Sequence, residues 1–327
     1  MAEYINIKGQ SIEVVASDPA NPTVGQIWYN STSNTLKGQN QTGAAAWASG
    51  ATANTARISA GPSSAGTQTS MLVFGGEDGS RLATTEEYNG STWTNKPNMN
   101  TARSYPGGAG TATAGLAFGG YLVATPVTGA TESWNGSSWT SVTSMSQARY
   151  VLSSAGTQTA ALAIGGNPPN TDVTEEWNGS SWSGGGSLTT VKTFGGATGT
   201  QTAALSFAGV TPASPQSTNA QIYNGTSWTN IASMNTGRNA VPTSGAGPQT
   251  AALCIGGAKG PSVANVEEYN GTSWSTVTNL PVGKQGGSAA GNSSAAVNSH
   301  GYTTVYTAST QEYTGAGVPV VETITAS

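Results

Sequence analysis

Charge is what this chain has least of. Only 8% of its 327 residues are Asp, Glu, Lys or Arg, with a formal net charge of -4 and a pI near 5.0. The cations are scattered singly, so there is no basic footprint for nucleic acid or for an anionic membrane surface. A single cysteine, Cys254, excludes an internal disulfide, and a single histidine, His300, falls short of the several converging ligands that a metal site needs. No apolar run is long enough to span a bilayer, and MAEYINIKGQ at the amino terminus lacks the basic and apolar regions of a Sec signal. The expectations are no nucleic acid, no membrane insertion, no metal and no cofactor.

What is abundant is glycine, 45 residues, with Ser, Thr, Asn and Ala filling much of the rest. Such a composition suits short strands and tight turns better than long helices. The chain also repeats itself. TEEWNGSSW ending at Trp182 returns as TEEYNGSTW at Trp93, TESWNGSSW at Trp139, AQIYNGTSW at Trp228 and VEEYNGTSW at Trp274. Counting Trp47, six tryptophans are spaced 46, 46, 43, 46 and 46 residues apart. Each unit predicts four short strands: an outer one at the Trp, then segments such as ARYVLSSAG, TAALAIGG and VTEEWNG. Asn-Gly predicts a type I′ hairpin turn, since both residues tolerate positive φ. A double glycine such as Gly75 and Gly76 ends the second strand where a Cβ would obstruct a neighbour or a positive φ. The fourth unit has Ala208 and Gly209 there, and the sixth has His300 before Gly301.

Four-stranded repeats of this length are the signature of a β-propeller blade. Arg near the first strand, Gly-Gly ending the second and an aromatic followed by Trp resemble the kelch motif, over roughly residues 47–315. The expected fold class is all-β: a six-bladed kelch-like β-propeller over residues 41–315, closed by an N-terminal strand around Trp47 that completes the sheet containing Tyr313. The alternative is seven blades, with GQIWYNSTSNTLKGQ (Gly25 to Gln39) as a hairpin beside Trp47 and VPVVETIT (Val318 to Thr325) adding a strand. Residues 1–40 are expected to be an attachment segment with a β-hairpin, and residues 316–327 a tail strand.

DPANPTVGQIWYNSTSNTLKGQ, Asp18 to Gln39, is similar to a short module near the amino termini of bacteriophage tail-fibre and other virion proteins, marine phages in particular. That resemblance implies a structural protein on the surface of the virion, on its tail, with other virion proteins and host cell-surface glycan as partners. No coiled-coil heptad or collagen repeat demands a trimer, so a homo-oligomer is allowed but not required. The leading expectation is a non-enzymatic tail-fibre or receptor-binding component. The alternative is a decoration or adaptor protein of capsid, neck or baseplate that makes only protein contacts. A depolymerase would need a carboxylate pair converging on one face, which the loops barely supply.

Two sets of residues are candidates for binding. The loops between second and third strands read EDGSRLA, YLVATPVTG, NPPNTD, VTPASPQST, AKGPSVA and YTTVYTAS. Variable loops on a regular frame predict a binding face, with Asp78, Arg81, Tyr121, Asp172, Lys259, Tyr302 and Tyr306 as contacts. Arg57, Arg103, Arg149, Lys192, Arg238 and Lys284 recur at equivalent places. They form either a cationic ring at a channel mouth that holds an anionic sugar or phosphate, or structural partners of the repeated acids Glu86, Glu87, Glu132, Glu175, Glu176, Glu267, Glu268 and Glu312. The charges follow the repeat so faithfully that the structural pairing is preferred. Cys254 reads as core and His300 as a substituted turn residue. The likeness to galactose oxidase stops at the propeller, whose copper site needs more than one histidine, and the Asp boxes of a sialidase are missing. The Asn-Gly-Ser/Thr sequons at Asn89, Asn135, Asn178, Asn224 and Asn270 are read as turns rather than glycosylation sites.

Overall fold

The computed structural model describes residues 12–20, 26–41, 43–123, 126–241, 245–317 and 319–324. Among them there is no helix, only strands, turns and bends. The chain divides into a small unit, Met1–Ala46 with Thr314–Ser327, and a large one, Trp47–Tyr313.

The small unit joins both chain ends in one four-stranded sheet, in the order Glu13–Val15, Ile27–Asn30, Thr35–Gln41 and Pro319–Thr323. Ile27–Asn30 and Thr35–Gln41 form an antiparallel hairpin in which Asn30 faces Thr35. Its turn is held by the Asn30 side-chain oxygen, which accepts from the backbone N–H groups of Thr32 and Ser33 at 3.1 and 3.0 Å. Asp18 binds across this sheet, accepting from Lys37 Nζ at 2.6 Å, Asn30 Nδ2 at 2.8 Å and Trp28 Nε1 at 3.1 Å. These donors, Lys37 first, pull its pKa down to about 2. The hairpin thus pairs with the carboxy-terminal strand rather than with the strand at Trp47.

The large unit contains six sheets, one per repeat. The first runs Gly61–Pro62, Met71–Phe74, Thr85–Tyr88, Trp93–Lys96, and the second Gly107–Gly110, Gly115–Phe118, Thr131–Trp134, Trp139–Val142. The third and fourth begin at Ser153–Gly156 and Gly196–Thr200 and end at Trp182–Gly184 and Trp228–Asn230. Three strands of the fifth are described, Ala252–Ile255, Val266–Tyr269 and Trp274–Thr276. In the sixth, Ser288–Gly291, Ala295–Ser299 and Thr310–Thr314 are followed by Ala46–Ser49, from the far end of the chain. There the Trp47 ring packs on Tyr313 with centroids 5.0 Å apart, and Gly50 N–H donates to Thr310 O at 3.0 Å.

Burial explains why these segments are strands. Second strands such as MLVF and ALAI are apolar at every position and buried throughout, because a sheet covers each face. Outer strands such as WTNK bury only the leading Trp. First strands are small because they are crowded: a Cβ on Gly108 would lie 2.1 Å from the Pro62 carbonyl oxygen of the neighbouring sheet.

The repeated motif also staples four of the six sheets to the one before. The indole N–H groups of Trp93, Trp139, Trp182 and Trp228 donate to the hydroxyls of Thr310, Thr85, Thr131 and Thr174 at 2.9–3.1 Å. Where the acceptor position is Ala220, the buried Trp274 Nε1 has no partner. The GTQT segment acts likewise. Gln201 Nε2 reaches the carbonyls of Ala161 and Trp177 at 3.1 and 2.7 Å, and Gln249 those of Ala204 and Tyr223, each at 2.8 Å.

The Asn-Gly turn differs from expectation. Tyr88 faces Trp93 across the hairpin, which leaves four residues in the loop rather than two. Asn89 does not enter the left-handed region. Its side-chain oxygen accepts from the N–H groups of Ser91 and Thr92 at 3.0 and 2.8 Å, and only Gly90 has positive φ, +90°. The motif is an Asx turn closed by glycine rather than a type I′ turn, and it recurs at Asn135, Asn178, Asn224 and Asn270.

Candidate functional site

The six recurrent cations lie just before the first strand of each sheet, and all are buried, with at most 2% of their surface exposed. Arg103, Arg149 and Arg238 bond Glu132, Glu175 and Glu267 at 2.6, 2.8 and 3.1 Å, and Arg57 bonds Glu86. Burial lowers the pKa of Arg57, Arg103 and Arg149, and the paired carboxylates oppose that shift. Every cation also donates to the carbonyl that precedes the third strand. Arg57 reaches Thr84 at 3.0 Å, Arg103 Ala130 at 2.7 Å, Arg149 Val173 at 2.9 Å and Arg238 Asn265 at 3.1 Å. Lys192 reaches Asn219 and Lys284 reaches Ser309, each at 3.2 Å. That carbonyl is the end of the variable loop, so each cation clamps one loop to its sheet. An open cationic ring able to hold a phosphate or an anionic sugar is therefore not what these residues form: they are sequestered, and each already holds a loop-end carbonyl, while the buried Nε of Arg57, Arg149 and Arg238 has no partner.

The second acid of each pair has other work. Glu87 bonds Lys96 at 2.6 Å. Glu176 accepts from the Tyr223 hydroxyl at 2.5 Å and Glu312 from that of Tyr88, both across a sheet-to-sheet boundary.

The variable loops begin beside the cations. Isolated bridges pair Ile58 with Glu77, Ser104 with Tyr121, Tyr150 with Asn167, Asn239 with Ala258 and Gln285 with Tyr302. Of the expected contacts, the structure brings two pairs together. The Arg81 guanidinium lies 4.9 Å over the Tyr121 ring while contacting Glu77 at 3.7 Å, and Tyr302 meets Tyr306 edge-on at 5.8 Å. Asp78 is exposed and caps Ser80 N–H at 3.1 Å. Asp172 is half-buried and Lys259 exposed, and neither forms an ion pair among the described residues.

Two residues beyond each cation, the chain turns through a left-handed conformation. Ser59, Tyr105, Val151, Phe194, Ala240 and Gly286 all have φ between 46° and 59°. Four of the neighbouring pairs are joined through their backbones. Ser59 N–H donates to Gly286 O at 2.8 Å, Tyr105 to Ser59 at 2.8 Å, Phe194 to Val151 at 3.0 Å and Gly286 to Ala240 at 2.7 Å. Together with Ile58, Val241 and Gln285, these residues line a cavity of about 120 Å³. Tyr105 meets Phe194 edge-on at 5.9 Å, and burial raises its pKa. A chain of half-buried rings continues from Tyr105 to Tyr150, 6.1 Å away, and from there to Tyr121 at 5.2 Å.

The solved structure of YjhT is similar to this chain, with a TM-score of 0.65 at 11% sequence identity, over 84% of this chain and 99% of that one. The fold is a β-propeller. At that identity the likeness carries the fold alone. No protein-family model matches the chain, and no curated protein matches it.

Within the propeller, the remaining reactive side chains are packed away. Cys254 is buried in the second strand of the fifth sheet, where burial raises its thiol pKa. His300 takes the left-handed turn at φ 57°, as Ala208 does at 58°, where other repeats have the first glycine of the pair. Its Nδ1 lies 2.8 Å from Ser299 Oγ, its ring meets Trp93 edge-on, and burial holds it well below the ordinary histidine pKa. Among the described residues no three His, Cys, Asp or Glu side chains converge.

Tyr105, Tyr150, Phe194 and Gln285 carry no residue-type signal in the sequence. The usable signal was positional, one or two places beyond each recurrent cation, where residue type varies and only the backbone conformation is shared.

Proposed function

We propose that the chain is a non-enzymatic binding module displayed on a bacteriophage particle, as a tail-fibre or receptor-binding component that recognises host surface glycan through the loop end of a six-bladed, kelch-like propeller. The six sheets, the pairing of Ala46–Ser49 beside Thr310–Thr314 and the Ser59 to Gly286 hydrogen bond support a ring closed by the amino-terminal strand. Attachment to other virion proteins is assigned to the small unit, whose hairpin carries the phage-module resemblance.

The observation that carries the binding role is the clamp. Six loops of different sequence start beside the same turn and end at a carbonyl held by a buried cation, so a rigid frame presents variable side chains. The non-enzymatic assignment rests on the scarcity of acid/base groups: Glu77, Asp78 and Asp172 are the only carboxylates in the six loop segments.

The test is binding of the purified chain to isolated host envelope, with a variant in which Arg81, Tyr121 and Tyr306 are changed to Ala. Saturable binding by the parent and loss in the variant is the expected result. Binding to no envelope fraction, with retention on virion proteins, would replace receptor recognition by the decoration or adaptor role. Val123 and Val305, 83% and 64% exposed on two of the loops, are the feature that favours such protein contacts.

A further inference from the structure

The cavity enclosed by the six left-handed residues is not an even hole. Three consecutive repeats place Tyr105, Val151 and Phe194 on it, and the next three place Ala240, Gly286 and Ser59. The space exists because one half of the ring is filled by bulky groups and the other is lined by small ones. The bulky half is conformationally costly, since a β-branched or aromatic residue at positive φ is disfavoured where glycine is free, and such outliers concentrate where a side chain serves a ligand.

We propose that this cavity binds one uncharged sugar residue, the terminal residue of a glycan whose remaining units run along Tyr150 and Tyr121. The inference rests on the glycan recognition proposed above and names its subsite. At about 120 Å³ the cavity is smaller than the roughly 150 Å³ that admits one benzene molecule, so it takes one edge of a sugar ring while the rest of the ring stays at the open mouth. Polarity fits a sugar edge-on to aromatics. Tyr105 and Phe194 offer apolar surface, Ser59 supplies a hydroxyl at the wall, and the Gln285 amide is used by no described protein group. No Asp, Glu, Lys, Arg or His side chain lines the cavity, so it offers no counter-charge to an ionised ligand. Tyr105, Phe194, Ala240 and Gln285 are half-buried rather than sealed, so the site is open to solvent.

The experiment is calorimetry and saturation-transfer NMR on the full chain with methyl glycosides of glucose, galactose, mannose and N-acetylglucosamine, and with glucuronic acid as the charged control. At least one neutral glycoside should bind, with glucuronic acid about tenfold weaker or worse, and Ala240→Phe, which fills the small half, should weaken binding about tenfold or more. Tyr105→Ala should do the same by removing the wall, and supplies the answer if Ala240→Phe does not fold. Glucuronic acid binding as tightly as the neutral sugars would overturn the proposal, as would no binding by any glycoside. Binding that survives Ala240→Phe but disappears in Tyr306→Ala would overturn the cavity while keeping recognition by the loops. Loss of host-envelope binding by the parent chain is a separate result, and that one would overturn the function itself.

Discussion

Lys192 and Lys284 stand where the other four repeats carry arginine, and Gln221 and Gln311 stand where those repeats carry the glutamate that pairs with it. The two changes belong together. A buried guanidinium cannot shed its proton, so it needs its carboxylate, whereas a buried amine can become neutral. Burial lowers both lysines from 10.5 to about 7. The sign of the pH dependence follows. Between pH 7 and 10 the unfolded chain holds these two protons more tightly than the folded one, so stability rises with pH across that window and the full penalty is present below 7. Above 10 the trend reverses, because burial and neighbouring carboxylates raise the tyrosine hydroxyls of Tyr88 and Tyr223 in the fold. Thermal midpoints measured from pH 6 to 11 should therefore peak near the alkaline end, and a flat or falling profile between 7 and 10 would contradict neutral lysines. Lys192→Arg alone should destabilise by about 3–5 kcal/mol, and adding Gln221→Glu should restore most of it, as read in a urea double-mutant cycle.

At the scale of strands and sheets, the indole-to-threonine bond is the recurring joint, and the fourth and fifth sheets, with Ala220 and Val266 at the acceptor position, omit it. Ala220→Thr should give Trp274 the acceptor that four other tryptophans have, for a gain of about 1 kcal/mol in urea unfolding. Thr85→Val, which strands the Trp139 N–H, should cost about 1–3 kcal/mol. Equality of the two variants with the parent would mean that these bonds do not hold sheet to sheet. Much of this level was legible in the chain, because Trp, Asn-Gly and Gly-Gly recur at fixed spacing and each has one local job. The turn is not legible, since Asn-Gly signals a two-residue loop and only the facing of Tyr88 and Trp93 shows that four residues intervene. The cavity was not legible at all. Ser59, Tyr105, Val151, Phe194, Ala240 and Gly286 share a backbone conformation but no side-chain type, and φ is not written in residue identity. The clamp was half legible: charge spacing pointed to the acidic strand, but the loop-end carbonyls that the cations also bind are backbone groups common to every residue.

For the whole molecule, the proposed ring closure rests on one long-range pairing, Ala46–Ser49 beside Thr310–Thr314. Deleting residues 1–50 removes the strand beside Thr310–Thr314 and exposes a sheet edge, so the truncated chain should lose a single sharp unfolding transition or aggregate. Melting as sharply as the full chain would contradict closure by the amino-terminal strand. Display on a phage particle is the proposed role from which attachment by the small unit and glycan binding at the loop end both follow. It is tested most directly by immunogold electron microscopy, with an antibody raised against this chain, on particles purified from the source that encodes it. Gold at the tail tip or fibres is the predicted result. Label on no particle would contradict the account.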